Sequence, residues 1–243
     1  MGSALAGKVV VITGGLSTLG RAIAASLAHH GVQLVLHYKT TPSSSAQDLL
    51  RPLLEAGARR IDLVQADFTT PEAVVLFANK VTTMHPKVDI LINNAGIFYR
   101  KGLSQTAPID FMKLYSINAL APMTLMNKMH EAGVKDIVNI LDIAVHKAWK
   151  FHGAYIASKA ALDAYTRVAA VEWAPEVRVN AVAPGMISVP EGLEEQYKPV
   201  LARIPMGRPG TSQEVAQAVE MLLLGPRYIT GHVVTVDGGL AIR

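Results

Sequence analysis

The sequence contains no cysteine in its 243 residues, and this absence excludes several kinds of chemistry. A disulfide framework, a thiolate metal site and a cysteine nucleophile all require that residue. The eight histidines also lack the spacing of a metal site such as His-Glu-x-x-His. We therefore expect no resident metal ion.

Charged residues are sparse, at 17% of the chain, and 23 basic against 19 acidic side chains leave a formal net charge of +4. The basic residues are scattered, without the cluster or stripe that nucleic-acid binding requires, so no nucleic-acid partner is expected. A modest positive charge suits a small anionic ligand instead. No apolar run reaches the ~18 residues of a membrane span, and residues 1–8 contain no signal-peptide core. We expect a soluble cytoplasmic protein with no membrane partner.

Apolar residues make up 50% of the chain, and short β-branched runs alternate with longer amphipathic segments. Strands are predicted at 9–12, 32–36, 61–64, 88–92, 137–141, 177–182 and 233–236, and helices at about 20–30, 43–56, 71–84, 109–132, 155–173 and 212–224. This alternation predicts an α/β fold, a single Rossmann-type doubly wound domain over residues 1–243. Its seven-stranded parallel sheet carries helices on both faces. The stretch 188–209 is rich in proline, glycine and glutamate and is expected to form a substrate lid.

A glycine-rich turn, Thr13-Gly14-Gly15-Leu16-Ser17-Thr18-Leu19-Gly20, joins the first predicted strand to the first predicted helix. Glycines let the backbone approach a pyrophosphate, and the helix offers free N–H groups and its positive dipole end to the phosphates. Candidate cofactor contacts here are Gly14, Ser17, Thr18 and Leu19. The alternative is a tight turn with no ligand.

The second predicted strand ends in His37-Tyr38-Lys39-Thr40, where NAD-binding folds usually carry an acidic residue for the ribose hydroxyls. No carboxylate stands there to repel a 2′-phosphate, and Tyr38, Lys39 and Thr40 are candidates to hold one. NADP(H) is therefore the predicted cofactor, although Lys39 as a solvated lysine is an alternative. After the third strand, Asp67 and Phe68 are candidates for the adenine, with a turn-forming role as the alternative for Asp67.

Tyr155 and Lys159 lie four residues apart at the start of a predicted helix, so they share one face. A tyrosine near its ordinary pKa of about 10 is a poor acid–base group at pH 7. A neighbouring ammonium lowers that pKa and lets the phenol donate a proton. The pair alone is weak support for catalysis, because such spacings occur by chance in helices.

The motifs gain meaning because they occur in order at predicted strand ends: Thr13-Gly14 to Gly20, Asn93-Asn94-Ala95-Gly96, Asn118, Tyr155-x-x-x-Lys159 and Pro184-Gly185. On these motifs the chain resembles the short-chain dehydrogenase/reductase family over essentially its full length. The resemblance implies hydride transfer from a nicotinamide cofactor with Tyr155 as the acid. Lys159 would hold the ribose and lower the tyrosine pKa, and Asn118 would support a proton-relay water. It also implies a homotetramer and the cofactor contacts Asn93, Ala95, Gly96, Tyr155, Lys159, Pro184, Gly185 and Ser188.

Two residues depart from the family pattern. Thr18 replaces the second glycine of the glycine-rich motif, which suggests altered phosphate contacts. The family's catalytic serine stands 13 residues before the tyrosine, where this chain has Asp142, and residues 136–150 contain no serine or threonine. An ionised aspartate only accepts hydrogen bonds and repels a developing alkoxide. A heterocycle with N–H donors, or a C=N bond, is a more natural substrate than a ketone.

The aspartate is similar to that of pteridine reductases and dihydromonapterin reductases. Phe98 falls where those proteins stack an aromatic ring on the pterin, and such stacking adds about 0.5–1.5 kcal/mol beyond burial. With Asp142 and Tyr155, Phe98 and Met186 are the candidate substrate contacts. By the same resemblance, Arg243 is a candidate contact in a neighbouring subunit's site. We expect an NADPH-dependent reductase of a dihydropterin.

Alternatives remain open from the sequence. A carbonyl reductase, for example of 3-oxoacyl thioesters, and a non-enzymatic NADP(H) sensor are the competing functions. Phe98 in plain packing and Asp142 in an ion pair with Lys147 are competing structural roles. The sequence favours a loop-filling role over a pocket-lining one for Trp149, Phe151 and His152.

Overall fold

The fold is a seven-stranded parallel sheet with helices on both sides, in a computed structural model that describes residues 3–40, 46–189, 192 and 194–243. The strands are β1 Val9–Ile12, β2 Gln33–Tyr38, β3 Arg60–Gln65, β4 Ile90–Asn93, β5 Asp136–Ile140, β6 Arg178–Pro184 and β7 Val233–Val236. Their order is β3-β2-β1-β4-β5-β6-β7, and every neighbouring pair is parallel. The predicted fold class is confirmed.

Eight α-helices are found in the described residues: α1 Thr18–Ala28, α2 Ala46–Glu55, α3 Pro71–Met84, α4 Pro108–Tyr115, α5 Ala121–Glu131, α6 Gly153–Glu172, α7 Glu194–Leu201 and α8 Ser212–Leu224. The predicted start of the second helix, near residue 43, lies outside the described residues. Thr70 caps α3 through its side chain, with Pro71 at the first helical position, as the sequence indicates. None of the described helices is long and apolar enough to cross a membrane.

Apolar side chains cover both faces of the sheet. On one face α1 packs against β2 and α8 against β6, with Ile23 and Val219 fully buried. On the other face α3 packs against β3 and α5 against β4, with Phe77 and Leu125 fully buried. The strands are therefore buried on both sides, which explains their continuous apolar sequences.

Two elements differ from the predictions. The single helix expected over 109–132 is divided into α4, a π-helical turn Ser116–Leu120 and α5. The lid stretch 188–209 contains α7, which its proline, glycine and glutamate content concealed; Pro190, Glu191 and Leu193 lie outside the described residues. Both differences bear on the site, because the π-turn carries Asn118 and α7 faces the cavity described below.

Candidate active site and cofactor cleft

Strand order reverses between β1 and β4, and the ends of these strands form a crevice where doubly wound folds bind ligands. Thr13 Oγ1 accepts hydrogen bonds from the main-chain N–H groups of Asn94 and Ala95, both at 2.9 Å. In return, Asn94 Nδ2 donates to the carbonyl oxygens of Thr13 and Gly14. The glycine-rich turn is thus joined directly to the segment after β4. Sequence reasoning gave Asn94 no role of its own.

The glycine-rich turn leads into α1 with the geometry that a phosphate requires. Gly14 adopts φ +61°, and a side chain at Gly20 would run into the Gly14 carbonyl oxygen. Ser17 caps α1 by accepting from the N–H of Gly20 at 3.1 Å. The other N–H groups of the first helical turn have no partner within the helix. Thr18, the departure from the family motif, is exposed and leaves the turn intact, so these residues fit a dinucleotide pyrophosphate.

His37 holds the glycine-rich turn in place through hydrogen bonds, a role that the sequence did not predict. Its Nδ1 accepts from the N–H of Gly14 and its Nε2 donates to the carbonyl of Ala66, both at 3.0 Å. The imidazole also stacks on Phe68, with ring centroids 3.9 Å apart. Burial lowers the pKa of His37 to about 4, so the ring is neutral and keeps its acceptor nitrogen at physiological pH.

Phe68 is buried, and its ring packs against the imidazole of His37, which in turn binds the glycine-rich turn. Lys39 forms an ion pair with Asp67, with Nζ 3.1 Å from Oδ2, and both side chains are about half exposed. Burial acts to raise the pKa of Asp67, but hydrogen bonds from Lys39 and Thr69 lower it below its ordinary value. Lys39 is therefore a paired lysine and not an isolated one. Tyr38 ends β2 half-buried and Thr40 follows exposed, both beside this pair in sequence.

Asp142 and Tyr155 form the centre of the candidate active site. Asp142 follows β5, where it caps a short 3₁₀ helix by accepting from the N–H of Ala144 at 2.8 Å through Oδ1. Its other oxygen, Oδ2, accepts from the hydroxyl of Tyr155 at 2.8 Å. The alternative pairing of Asp142 with Lys147 is wrong. Lys147 instead donates to the main-chain oxygens of Leu240 and Arg243.

Lys159 and Asn118 lie beside this pair. Lys159 is 5% exposed and donates to the carbonyl of Ile140 at 2.8 Å. Asn118 is fully buried in the π-turn, where Nδ2 donates to the carbonyl of Ile97 and to Ser158 Oγ. A Cβ built on Gly96 would stand 3.3 Å from Asn118 Oδ1 and 3.5 Å from Lys159 Nζ. The bare backbone of Gly96 thus leaves space beside both polar groups.

The ionisation of these groups departs from the expectation. Burial raises the pKa of Tyr155 well above its ordinary value, and the adjacent Asp142 raises it further. Burial also raises the pKa of Asp142, although hydrogen bonds and the charge of Lys159 partly oppose this. Burial lowers the pKa of Lys159 to about 8. The expectation that Lys159 lowers the pKa of Tyr155 is therefore wrong here, because the tyrosine is buried against a carboxylate.

The remaining cofactor candidates lie around the same crevice. The side chain of Asn93 is buried in the sheet and donates to Asn139 Oδ1 at 2.8 Å. Ala95 follows it at the end of β4, held by Thr13. Pro184 ends β6, and Gly185 packs so closely on Asp237 that a side chain there would collide with it.

A cavity of about 670 Å³ opens beside Asp142. One wall is aromatic: the Phe98 ring meets that of Tyr155 edge to face at 4.9 Å between centroids and stacks on His152 at 5.2 Å. Phe98 is 55% exposed, which excludes plain core packing for its ring in this structure. Met186, Ser188 and Tyr197 of α7 also line the cavity.

The loop-filling interpretation of residues 149–152 is wrong for Trp149 and His152, which line this cavity. Phe151 lies outside it, in a left-handed conformation with φ +69°, and its ring contacts the guanidinium of Arg100 at 4.8 Å. Left-handed backbone is rare for a residue other than glycine. Lys150 and His152, on either side of Phe151, both line the cavity. Arg243 points its guanidinium toward the carbonyl of Ala202, at 3.5 Å, within its own chain.

Comparison with known proteins agrees with this geometry. Residues 14–241 match the family model described as enoyl-(acyl carrier protein) reductase. The chain is 33% identical to dihydromonapterin reductase of Klebsiella pneumoniae, over 97% of this chain and 98% of that protein. It is 30% identical to 3-oxoacyl-[acyl-carrier-protein] reductase of Synechocystis, over 99% of each.

A solved structure, a short-chain dehydrogenase/reductase double mutant of Serratia marcescens, superposes with a TM-score of 0.90 at 25% identity. The match covers 98% of this chain and 100% of that one. Another, an NADH-dependent reductase of alginate metabolism, gives a TM-score of 0.89 at 27% identity, covering 97% and 98% of the two chains. With the nucleotide cleft and the Tyr155–Lys159 pair in place, the chain belongs to the short-chain dehydrogenase/reductase family of nicotinamide-dependent oxidoreductases.

Proposed function

We propose that the protein is an NADPH-dependent reductase of a dihydropterin. The observation that carries the proposal is the 2.8 Å hydrogen bond from the Tyr155 hydroxyl to Asp142 Oδ2. A carboxylate beside the proton donor suits a nitrogen heterocycle, because it accepts from ring or amino N–H groups. Relatives named dihydromonapterin reductase, from Klebsiella pneumoniae and Citrobacter koseri at 33% and 31% identity, support this choice.

The proton that completes C=N reduction is supplied by the Asp142–Tyr155 pair. When bound, the nicotinamide ring supplies the hydride to carbon. Tyr155, with its raised pKa, keeps its proton at neutral pH and holds it at the hydroxyl oxygen facing Asp142. When Asp142 is protonated the direction of this hydrogen bond reverses: the carboxyl group donates to the Tyr155 oxygen and the tyrosine hydroxyl turns its own proton to the substrate nitrogen. As the tyrosine proton leaves, the carboxyl proton moves to the Tyr155 oxygen, so that Asp142 ends as a carboxylate and Tyr155 as a neutral phenol. The raised pKa of Asp142 favours that protonated form.

The neighbouring residues orient the reactants. Lys159 is buried next to the space left by Gly96, where it is placed to hold a ribose hydroxyl, and Asn118 keeps the adjoining backbone in position through Ile97. The exposed ring of Phe98 offers a flat face to a bicyclic heterocycle. Met186 contributes an apolar contact across the cavity.

The preference for NADPH is proposed from the end of β2. No carboxylate follows Tyr38 directly, and the Lys39–Asp67 pair places an ammonium where a 2′-phosphate can compete for it. A homotetramer, a lid formed by residues 188–209 and a single cofactor-binding domain over residues 1–243 remain predictions.

The assay is NADPH oxidation with dihydrobiopterin, dihydromonapterin and dihydrofolate. We expect turnover of at least one, and a fall in kcat/KM of about 10²–10⁴-fold in Asp142→Ala. Asp62→Asn is the control, because the Asp62 carboxylate on β3 pairs with Arg60 and with His85, the residue after α3, and does not line the cavity. Absence of NADPH oxidation with all three substrates rejects the proposal.

The dependence of kcat/KM on pH distinguishes a role of Asp142 in proton transfer from a purely structural role. Because protonated Asp142 is the productive form, kcat/KM of the wild type falls as pH rises through the raised pKa of Asp142. Asp142→Asn cannot titrate, and its profile should lose that limb. A profile unchanged by the substitution would make the aspartate structural.

A carbonyl reductase is the second candidate, favoured by the similarity to the 3-oxoacyl-[acyl-carrier-protein] reductase of Synechocystis. Reduction of an acetoacetyl thioester by the wild type, with a higher kcat/KM than for any of the three pterins, would support it. A non-catalytic NADP(H) sensor is disfavoured by the formed Tyr155–Asp142 hydrogen bond, since a sensor needs no proton donor.

A further inference from the structure

The lining of the cavity carries an excess of positive charge. Arg100, Lys147, Lys150 and Arg203 all line it, whereas Asp142 is its only described carboxylate. Over the whole chain the balance is 23 basic to 19 acidic residues. A concave wall of one charge sign raises the local concentration of ligands of the opposite sign.

Two of the four cations are already engaged. Lys147 donates to the main-chain oxygens of Leu240 and Arg243, and Arg100 lies over the Phe151 ring. Lys150 and Arg203 are exposed, and neither forms an ion pair with a carboxylate of the described residues. Arg203 follows α7 and so belongs to residues 188–209, the segment expected to cover the substrate. Its unpaired guanidinium lines the cavity.

The cofactor phosphates do not account for this charge. The cavity is lined by neither the glycine-rich turn nor Lys39, which form the phosphate side of the crevice. Asp142, which meets Tyr155 in the same cavity, is half-buried, whereas Lys150 and Arg203 are exposed. The free cations are therefore placed for the part of a substrate that extends away from the reacting atoms.

We propose that the natural substrate is a heterocycle with an anionic tail, a carboxylate or a phosphate ester, and that Lys150 and Arg203 bind this tail. The inference rests on the proposed function, since it names the substrate class of the same site. An anionic tail gains charge-assisted hydrogen bonds that a neutral hydroxylated tail cannot form with these cations.

The kinetic test compares tails on one ring system. Dihydrobiopterin carries a neutral tail, dihydrofolate carries carboxylates and dihydroneopterin 3′-phosphate carries a phosphate. We expect Arg203→Gln and Lys150→Gln each to lower kcat/KM roughly tenfold for an anionic substrate and less than twofold for dihydrobiopterin. The anionic substrate with the larger loss identifies the tail chemistry. Equal losses for all three substrates, or no loss for any, overturn the inference while leaving pterin turnover intact.

A binding test stands apart from turnover. Trp149 lines the cavity and reports binding by fluorescence, whereas Trp173 stacks on His130 elsewhere. With NADP bound, p-aminobenzoylglutamate should bind the wild type, bind Arg203→Gln about tenfold more weakly, and outcompete neutral p-aminobenzamide. Lys198→Gln on α7 is the matched control, because Lys198 pairs with Glu195 and does not line the cavity. Equal affinity for the two probes overturns the inference even if no pterin is reduced.

Discussion

The buried His37 makes a quantitative prediction about stability in mild acid. Its imidazole accepts a hydrogen bond from Gly14 and donates one to Ala66, which requires the neutral ring. Burial lowers its pKa from 6.5 to about 4. Between these values the unfolded chain binds more protons than the folded one, so stability falls as the pH falls.

The size of the effect follows from the two pKa values. At pH 7 the unfolded histidine is mostly neutral, and His37 contributes almost nothing to the pH dependence. At pH 5 nearly every unfolded chain has bound the proton, but only about a tenth of the folded molecules have done so. Linkage then predicts a loss of about 2 kcal/mol in the free energy of unfolding between pH 7 and pH 5.

The assay is urea unfolding followed by circular dichroism at pH 7, 6 and 5 for the wild type and His37→Gln. The glutamine amide keeps a donor and an acceptor but does not titrate, so its stability should fall by about 2 kcal/mol less than that of the wild type over this range. His146→Gln changes an exposed histidine and is expected to follow the wild type. Parallel curves for the wild type and His37→Gln would refute the reasoning.

Three further substitutions test other parts of the fold. Lys39→Met should raise KM for NADPH about tenfold and KM for NADH less than twofold in steady-state assays; equal changes would argue against a phosphate contact. Gly20→Ala places a methyl group against the Gly14 carbonyl and should weaken NADP binding by more than about tenfold in calorimetry, whereas wild-type affinity would contradict the tight turn. Asp136→Asn removes a buried partner 2.7 Å from Arg178 and should lower the free energy of unfolding by about 3–5 kcal/mol in urea; a loss below about 1 kcal/mol would show the pair to be dispensable.

The architecture was predictable because each strand is buried on both faces and so has a continuous apolar sequence. The polar residues after β1, β4 and β5 could then be placed at one edge of the sheet, because the carboxyl ends of parallel strands meet at one side. The pairing of Asp142 with Tyr155 came instead from the family resemblance, in which the catalytic serine stands 13 residues before the tyrosine. The roles of both residues in the reaction remain predictions.

What the sequence did not reveal depends on contacts distant along the chain. His37 lies in an apolar strand, and no residue next to it in the sequence indicates its hydrogen bonds to Gly14 and Ala66. The raised pKa of Tyr155 arises from burial and from the carboxylate of Asp142, 13 residues earlier in the chain. The four-residue spacing between Tyr155 and Lys159 gives no information about either cause. α7 was hidden because its composition is that of a loop.

The π-turn Ser116–Leu120 makes the spacing of this region sensitive to a single residue. It holds one residue more than an α-helical turn, and that surplus sets the direction in which the Asn118 carboxamide projects. A chain shortened by one residue here would continue as ordinary helix, and every side chain beyond would swing by about 100° about the axis. Length variation at this point would therefore reorient the whole of α5 against the sheet, whereas a substitution of one side chain would not.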